Sequence, residues 1–500
     1  MKTRKKARSV AIIGAGIAGI AAALRLRKQG FQVTVFEANE RLGGKIAEVI
    51  GDGFRFDGGP TVLTKPEYVE ELFSLFGKSA SDYWKHQPVD PIFKYFFEDG
   101  TIINSSRNRE QFAAEIAEKT SDSKESIFKF LDDVEKTHYL TDEVFLQRSI
   151  HQFKNYLDWP TARGILNFGK VDVFRSMNTA NQKRFKDQKV IDIFNRYASY
   201  NGSNPYWAPA TLNVIAHYEI TLGTYFSVGG IYSIIAAFKK LAVEQGITFK
   251  LNTPIQEVEY NGKMVTGVKT NVGTEQFDVV VSNVDVYNTY KQLLPGFKAP
   301  KRFLEQPRSS SVIVFYWGIE RKFPELGLHN MFLTEDAKAE YQHLFELNRP
   351  YHDPTIHMTI SSKKNGSDAP EGCENWAALI SVPHDSGQNC DYWITEARKN
   401  LLAKLSRILK TDIEKLIVYE DVLDPRKVNE ETNAAFGAVF GNASNSMFSA
   451  FLRHPNFSPK IDNLFFCGGT AHPGPGIPLC LLSAKIASEL IAEKFVADSE

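Results

Sequence analysis

Cysteine is scarce. The four in 500 residues (Cys373, Cys390, Cys467, Cys480) form no CxxC pair and no zinc-ligand spacing, so neither a zinc module nor a secreted disulfide framework is expected. Reduced, buried thiols fit a cytosolic chain. Excess charge is also missing: 59 basic residues balance 59 acidic ones, which removes any global pull toward nucleic acid or a membrane. No apolar run reaches the roughly 18 residues needed to span a bilayer. The opening MKTRKKARS imitates a signal peptide, but the following VAIIGAGIAGIAAALRL is broken by glycines, ends on Arg25 and lacks a cleavage site. There is no HExxH, no Ser/His/Asp set, no metal cluster, no internal repeat and no low-complexity tract. What remains is 43% hydrophobic and long enough for two or three domains.

The first informative stretch is at the start. Residues 9–13 read as a short buried strand, Gly14, Gly16 and Gly19 give GxGxxG, and residues 20–29 continue as an alanine- and leucine-rich helix closed by Gly30. Residues 31–36 alternate as a second strand, and Glu37 stands at its end, 18 residues after Gly19. Gly14 permits the tight turn, and Gly16 lets the backbone approach a pyrophosphate at the helix N-terminus. Glu37 can accept ribose hydroxyls. This is a Rossmann-type dinucleotide unit.

After Glu37 come Ala38, Asn39, Glu40 and then Arg41-Leu42-Gly43-Gly44-Lys45. A glycine pair directly after the acidic strand end has no role in a simple NAD unit; alone, it would read as a surface turn. The run resembles the ExxxRxGG(R/K) motif of the flavoproteins that include amine oxidases, protoporphyrinogen oxidase and carotenoid desaturases. That resemblance implies FAD. Lys45 replaces the usual arginine, keeping the charge but losing the bidentate fork.

Further segments resemble the bacterial and fungal phytoene desaturases and their relatives, in order along the chain. They are Phe56-Asp57-Gly58-Gly59-Pro60-Thr61, the stretch from Arg196-Tyr197 to Ala208-Pro209-Ala210, and Gly229-Gly230-Ile231 before an amphipathic helix over 232–244. Residues 278–283, Phe451-Leu452-Arg453-His454-Pro455-Asn456 and the closing NLFFCGGTAHPGPGIP of 463–478 complete the set. Carried over residue by residue, the resemblance places Gly14, Ala15, Gly16, Ile17, Ala18, Gly19, Glu37, Arg41, Gly44, Lys45, Pro60, Thr61, Val62, Val258, Asn283, Gly469, Thr470, Ile477, Pro478 and Leu481 around FAD.

The expected fold class is α/β: a Rossmann-type FAD-binding domain, a mixed-sheet substrate domain and a helical membrane-facing subdomain. The FAD domain is expected to be discontinuous, from 1–75, 225–296 and 415–500. The substrate domain takes 76–107 and 297–414, and the helical region 108–224. Strands are expected near 248–252, 255–260, 279–282, 311–318, 355–361 and 376–381, with hairpin turns at Asn261-Gly262 and Asp99-Gly100. Polar residues 363–372 read as an exposed loop.

The resemblance implies carotenoid desaturation, which takes a hydride from one carbon and a proton from its neighbour. Flavin accepts the hydride. The protein then has to hold a hydrocarbon in register in a dry channel, so no catalytic dyad is expected to stand out. His472, His217 and Glu219 are the base candidates, each with a structural role as the alternative. HPGPGIPLCLLSAK, from His472 to Lys485, looks most like the branch that introduces the 3,4 double bond into 1-hydroxycarotenoids. Phytoene-type desaturation, ketolase-like oxidation and isomerisation stay open. So do an amine or porphyrinogen oxidase and a flavin-free lipid carrier on the same architecture.

From Arg148 to Arg196, ten Lys/Arg face four Asp, interleaved with Phe153, Tyr156, Trp159, Phe168, Phe174, Phe185 and Phe194. That mixture suits an anionic lipid interface, or equally a helical core with a solvated basic face. The expected location is cytoplasmic, peripheral on the inner face of the cell membrane. Expected partners are a lipophilic carotenoid and oxygen or a quinone as electron acceptor, with no nucleic acid.

Overall fold

The computed structural model describes residues 8–152, 155, 171–446, 449–450 and 452–496. Its nucleotide half is built on a five-stranded sheet in the order Leu464–Phe466, Val279–Ser282, Ser9–Ile13, Gln32–Phe36, Thr248–Lys250, with every pairing parallel. A parallel sheet is covered on both faces, which is why its strands read as continuous apolar runs. Val10 and Ile12 pack toward the helices Ile17–Lys28, Tyr232–Glu244 and Ile477–Val496, whereas Ala11 and Ile13 face the opposite core beside Val258, Val265 and Val268. Those three valines belong to an antiparallel sheet, Ile255–Asn261, Met264–Thr270 and Gly273–Gln276, laid over that face. The first helix starts at Ile17 rather than at residue 20, because the Gly16 carbonyl already accepts the Ile20 N–H at 3.0 Å.

The second half is a seven-stranded mixed sheet in the order Ile417–Leu423, Ser311–Ile319, Glu374–Val382, Ile356–Thr359, His329–Phe332, Phe93–Phe96, Ile102–Ser105. Only the contact of His329–Phe332 with Phe93–Phe96 is parallel. Alternation sorts its side chains. Ile313, Phe315, Trp317, Met358, Trp376, Ala378 and Ile380 pack with the helix Cys390–Ile408, while Val312, Met331, His357, Leu379 and Ser381 point to the other side. Residues 417–423, grouped above with the nucleotide half, form the edge strand of this sheet.

Helices Arg109–Lys119, Lys124–Thr141, Met177–Arg184 and Gln188–Asn195 close over that second side. Asn108, Ser123, Ser176 and Asp187 cap them by accepting backbone N–H bonds. Two of the aromatics considered as lipid anchors are core residues here: Phe185 and Phe194 are buried against Phe130, their rings 5.3 and 4.2 Å from its own. Phe174 is exposed, and Phe153, Tyr156, Trp159 and Phe168 lie outside the described residues.

The polar stretch 363–372 also departs from expectation. Asp368 is buried and meets Arg55 at 3.4 Å, so part of this stretch anchors the structure instead of lying free as a loop.

Candidate active site

The C-terminal ends of the parallel strands converge on a cluster of tight loops. The Gly14 N–H donates to the Phe36 carbonyl at 2.8 Å, and the Gly43 N–H donates to the Ala15 carbonyl at 2.9 Å, which brings the GxGxxG and RLGGK segments together. Glu37 is buried; its carboxylate accepts the N–H groups of Ala15 (2.8 Å) and Asn39 (3.0 Å). Asn283, directly after the strand Val279–Ser282, donates to the Gly14 carbonyl at 3.2 Å. A methyl group on Gly16 would lie 2.8 Å from the Asn283 amide nitrogen, so the two loops touch only because Gly16 has no side chain.

A second clasp holds the FDGGP segment. Arg55 donates to Glu48 (2.6 Å) and to Asp57 (2.7 Å), and Asp57 accepts the Ile231 N–H at 3.0 Å. Gly59 then passes under Lys45 so closely that a Cβ would sit 1.9 Å from the Lys45 carbonyl oxygen. Gly468, Gly469 and Thr470 follow the edge strand, and the Thr470 hydroxyl accepts the Val286 N–H at 3.0 Å. Ile477 and Pro478 open the final helix.

The loops fit a phosphate-bearing flavin. The helix Ile17–Lys28 has no side-chain cap, leaving its N-terminal N–H groups to an anion. Two cations, the buried Arg453 and the half-buried Lys45, have no ion pair with a carboxylate among the described residues. Lys45 donates to the Val439 carbonyl at 2.6 Å, and burial lowers its pKa against the pull of Asp285. Arg453 reaches the carbonyls of Asn442 (3.1 Å) and Gly469 (3.3 Å), and burial brings it down to about 10. A buried charge without a countercharge is costly. An anionic cofactor relieves that cost.

Other expected positions are less direct. Arg41 is half exposed and pairs with Glu431 at 3.1 Å. The Val258 N–H is engaged by the Leu293 carbonyl at 2.8 Å. Leu481 is buried in the core between the helices and the parallel sheet.

Against these loops lies a cavity of 410 Å³. Gly59, Pro60, Thr61 and Val62 border it together with residues 472, 473 and 475–479. The seven-stranded sheet supplies Val312, Met331, Leu333, His357, Leu379 and Ser381, and the helices supply Phe145, Leu146, Leu212, Ile215 and Tyr218. A wider groove of 830 Å³ beside Tyr287 and Arg308 touches none of the nucleotide-loop residues.

The three base candidates separate. Glu219 lies on the cavity wall, but its oxygens accept from Arg196 (2.6 Å), Tyr197 (2.7 Å) and Tyr200 (2.5 Å). It is a structural acceptor for a buried guanidinium that also packs on the rings of Phe93 and Tyr197. His217 is not in the wall; it stacks on His138, their rings 4.8 Å apart, and burial lowers it to about 4. His472 borders the cavity with Nε2 at 3.0 Å from the Arg148 carbonyl and Nδ1 enclosed without a partner; burial lowers it to about 3. Sequence reasoning did not single out Arg453, Arg196 or His357. Arg453 and Arg196 sit inside segments quoted for their likeness, which was the available signal.

Glycine-rich loops that fit a dinucleotide, beside a mostly apolar cavity, point to an oxidoreductase that sets a redox cofactor against an apolar substrate site. Comparison with known proteins makes this specific: the family described as flavin containing amine oxidoreductase matches residues 17–492, and the chain belongs to it. It is an FAD-dependent oxidoreductase. It is 42% identical over 480 residues to a 1-hydroxycarotenoid 3,4-desaturase from Flavobacterium sp. (strain P99-3), covering 96% of this chain and 98% of that one. It is 32% identical to a 4,4'-diapolycopene oxygenase from Methylomonas sp., covering 98% of both. Among solved structures, an oxidoreductase from Methanosarcina mazei superposes with a TM-score of 0.66 at 14% identity, over 96% of this chain and all of that one. Cyclohexylamine oxidase from Brevibacterium oxydans IH-35A gives 0.60 at 16%, over 98% of this chain and all of its own. These two likenesses establish the fold alone.

Proposed function

We propose that this chain is a carotenoid desaturase that introduces the 3,4 double bond into a 1-hydroxycarotenoid. The observation that carries the reading is the cavity: its apolar sheet-and-helix walls end on the loops assigned to the flavin. The 42% identity along 96% of the chain to a protein of that named activity supports the choice of substrate. Bound FAD supplies a two-electron acceptor for the hydride. The walls exclude water and align the polyene, so that the bond to be oxidised lies against the cofactor. No wall residue needs to act as a strong base, because the developing cation is allylic and delocalised. His472, adjacent to the assigned flavin loops, has one enclosed nitrogen available to take the proton. Electrons then pass to oxygen or a quinone.

The substrate is drawn from a membrane surface on this reading. No described helix is long and apolar enough to cross a bilayer, and the Lys124–Thr141 helix, whose last residue lines the cavity, carries the exposed ring of Tyr139. The oxygenase relatives favour one second reading, oxidation at a terminal carbon.

Anaerobic incubation of FAD-loaded protein in liposomes with a 1-hydroxycarotenoid tests the choice. Flavin bleaching with a red-shifted polyene two hydrogens lighter is expected. A product carrying new oxygen under air, with no anaerobic bleaching, would favour the second reading.

A further inference from the structure

Among the described residues of the cavity wall, His357 has no hydrogen-bond partner at either ring nitrogen. His357 lies in the strand Ile356–Thr359, whose other residues alternate as the sheet requires. Ile356 and Met358 enter the core under the Cys390–Ile408 helix, and His357 faces the cavity between Met331 and Leu379 of the neighbouring strands. Its Nε2 is fully enclosed, which leaves Nδ1 as the nitrogen open to the cavity. A polar nitrogen left unpaired on a mostly apolar wall calls for an explanation. Packing accounts for the ring: Phe93 lies 5.3 Å away and His329 6.0 Å away. It does not account for the nitrogens.

The strand also fixes where His357 stands. Two residues on, the Thr359 hydroxyl donates to the Thr61 hydroxyl at 3.1 Å, and Thr61 belongs to the segment assigned to the flavin. One two-residue stride along a strand is roughly 7 Å. In a 1-hydroxycarotenoid the hydroxyl oxygen lies roughly 3–5 Å from the carbons of the 3,4 bond at standard bond lengths. A chain whose 3,4 bond lies beside the Thr61 segment can therefore put its hydroxyl within reach of His357.

We propose that His357 recognises the tertiary hydroxyl of the carotenoid end group by hydrogen bonding and thereby sets which bond meets the flavin. This rests on the reading of the chain as a hydroxycarotenoid desaturase and names its specificity-determining residue. Burial, with Arg196 nearby, holds His357 near a pKa of about 3, so the ring is neutral at pH 7. With Nε2 enclosed, Nδ1 of the neutral ring can make one hydrogen bond, as donor or acceptor according to tautomer, and a hydroxyl can complement either role.

The test compares a 1-hydroxycarotenoid with the same polyene bearing hydrogen in place of the hydroxyl. Wild-type protein is expected to prefer the hydroxylated chain in kcat/KM by roughly 10- to 100-fold, the range one enclosed hydrogen bond supplies. His357→Leu is expected to bring the ratio near one by losing rate on the hydroxylated chain only, and His357→Gln to keep part of the preference. Binding of the already desaturated products, followed by quenching of tryptophan fluorescence, should shift in parallel. FAD content and thermal unfolding report whether each variant is folded. Equal losses on both substrates, or an unchanged ratio in His357→Leu, would overturn the assignment. Wild-type turnover of both chains without preference would overturn it too while leaving the proposed reaction standing. Turnover of neither, with FAD bound, would overturn the proposed reaction itself.

Discussion

Removing the Glu37 carboxylate should cost the protein its cofactor. In the structure each carboxylate oxygen already accepts one backbone N–H, from Ala15 at 2.8 Å and from Asn39 at 3.0 Å. A carboxylate oxygen has two acceptor sites, so one remains on each oxygen for the two ribose hydroxyls. A hydrogen bond to a charged acceptor contributes about 1.5–3 kcal/mol. Two of them make about 3–6 kcal/mol, which is a weakening of roughly 10²- to 10⁴-fold in the dissociation constant. Glu37→Ala also orphans the N–H of Ala15, which is fully buried, so the loop loses definition at the same time. The assay is equilibrium dialysis of the apoprotein against FAD, with Gln32→Ala, an exposed change on the same strand, as the control. A Glu37→Ala protein whose FAD dissociation constant stays within about threefold of wild type would refute the argument, because even one such bond would weaken binding by more than about tenfold.

Other outcomes follow from the same geometry. Lys45→Met should raise the thermal midpoint of the apoprotein, by removing a half-buried cation that has only a carbonyl partner, while weakening FAD binding; a variant that destabilises the apoprotein would contradict this. Phe194→Ala should lose about 3–5 kcal/mol in chemical denaturation and leave liposome affinity unchanged, since the ring is core and not a lipid anchor. His454 and His472 are both buried with pKa lowered to about 3, so the unfolded chain binds protons first as pH falls below about 6.5. Stability should therefore drop by about 1 kcal/mol per group between pH 7 and 5.5, and His472→Asn should flatten that slope in denaturant titrations. Glu219→Gln should be strongly destabilising, by about 3–5 kcal/mol, because it leaves the Arg196 guanidinium enclosed without its countercharge; a variant that unfolds like wild type but has lost only turnover would instead restore Glu219 as a base.

The local elements were legible. Apolar runs at 9–13 and 279–282, the Asn261-Gly262 turn and the helix from Tyr232 to Glu244 follow from periodicity and turn chemistry, which are properties of neighbouring residues. The glycine spacing of residues 14–19 likewise announced a nucleotide loop, and the likeness of residues 41–45 to a flavoprotein motif placed that run around the same cofactor. What was hidden depends on distant partners. Asp368 sat in a polar stretch that looked like a loop, yet Arg55 holds it in the interior. Phe185 and Phe194 look the same in sequence whether they meet lipid or Phe130. Residues 417–423 could have joined either sheet, and only the pairing with Ser311–Ile319 settled which. His357 was simply one polar residue inside an expected strand; nothing in its neighbours says that the face it occupies borders a cavity.

The parallel sheet has a temporal consequence. Its central strand, Ser9–Ile13, and the helix Ile17–Lys28 are made long before the edge strand Leu464–Phe466 and the covering helix Ile477–Val496. Ala18, Ala21, Ala22 and their neighbours share a core with Leu481, Ala484 and Ala487, so this sticky face has to wait for its cover while the intervening residues are made. The nucleotide half is therefore expected to take up its cofactor only after that helix is made, and a chain terminated before residue 477 would offer chaperones and proteases a half-built nucleotide fold instead of a usable apoprotein.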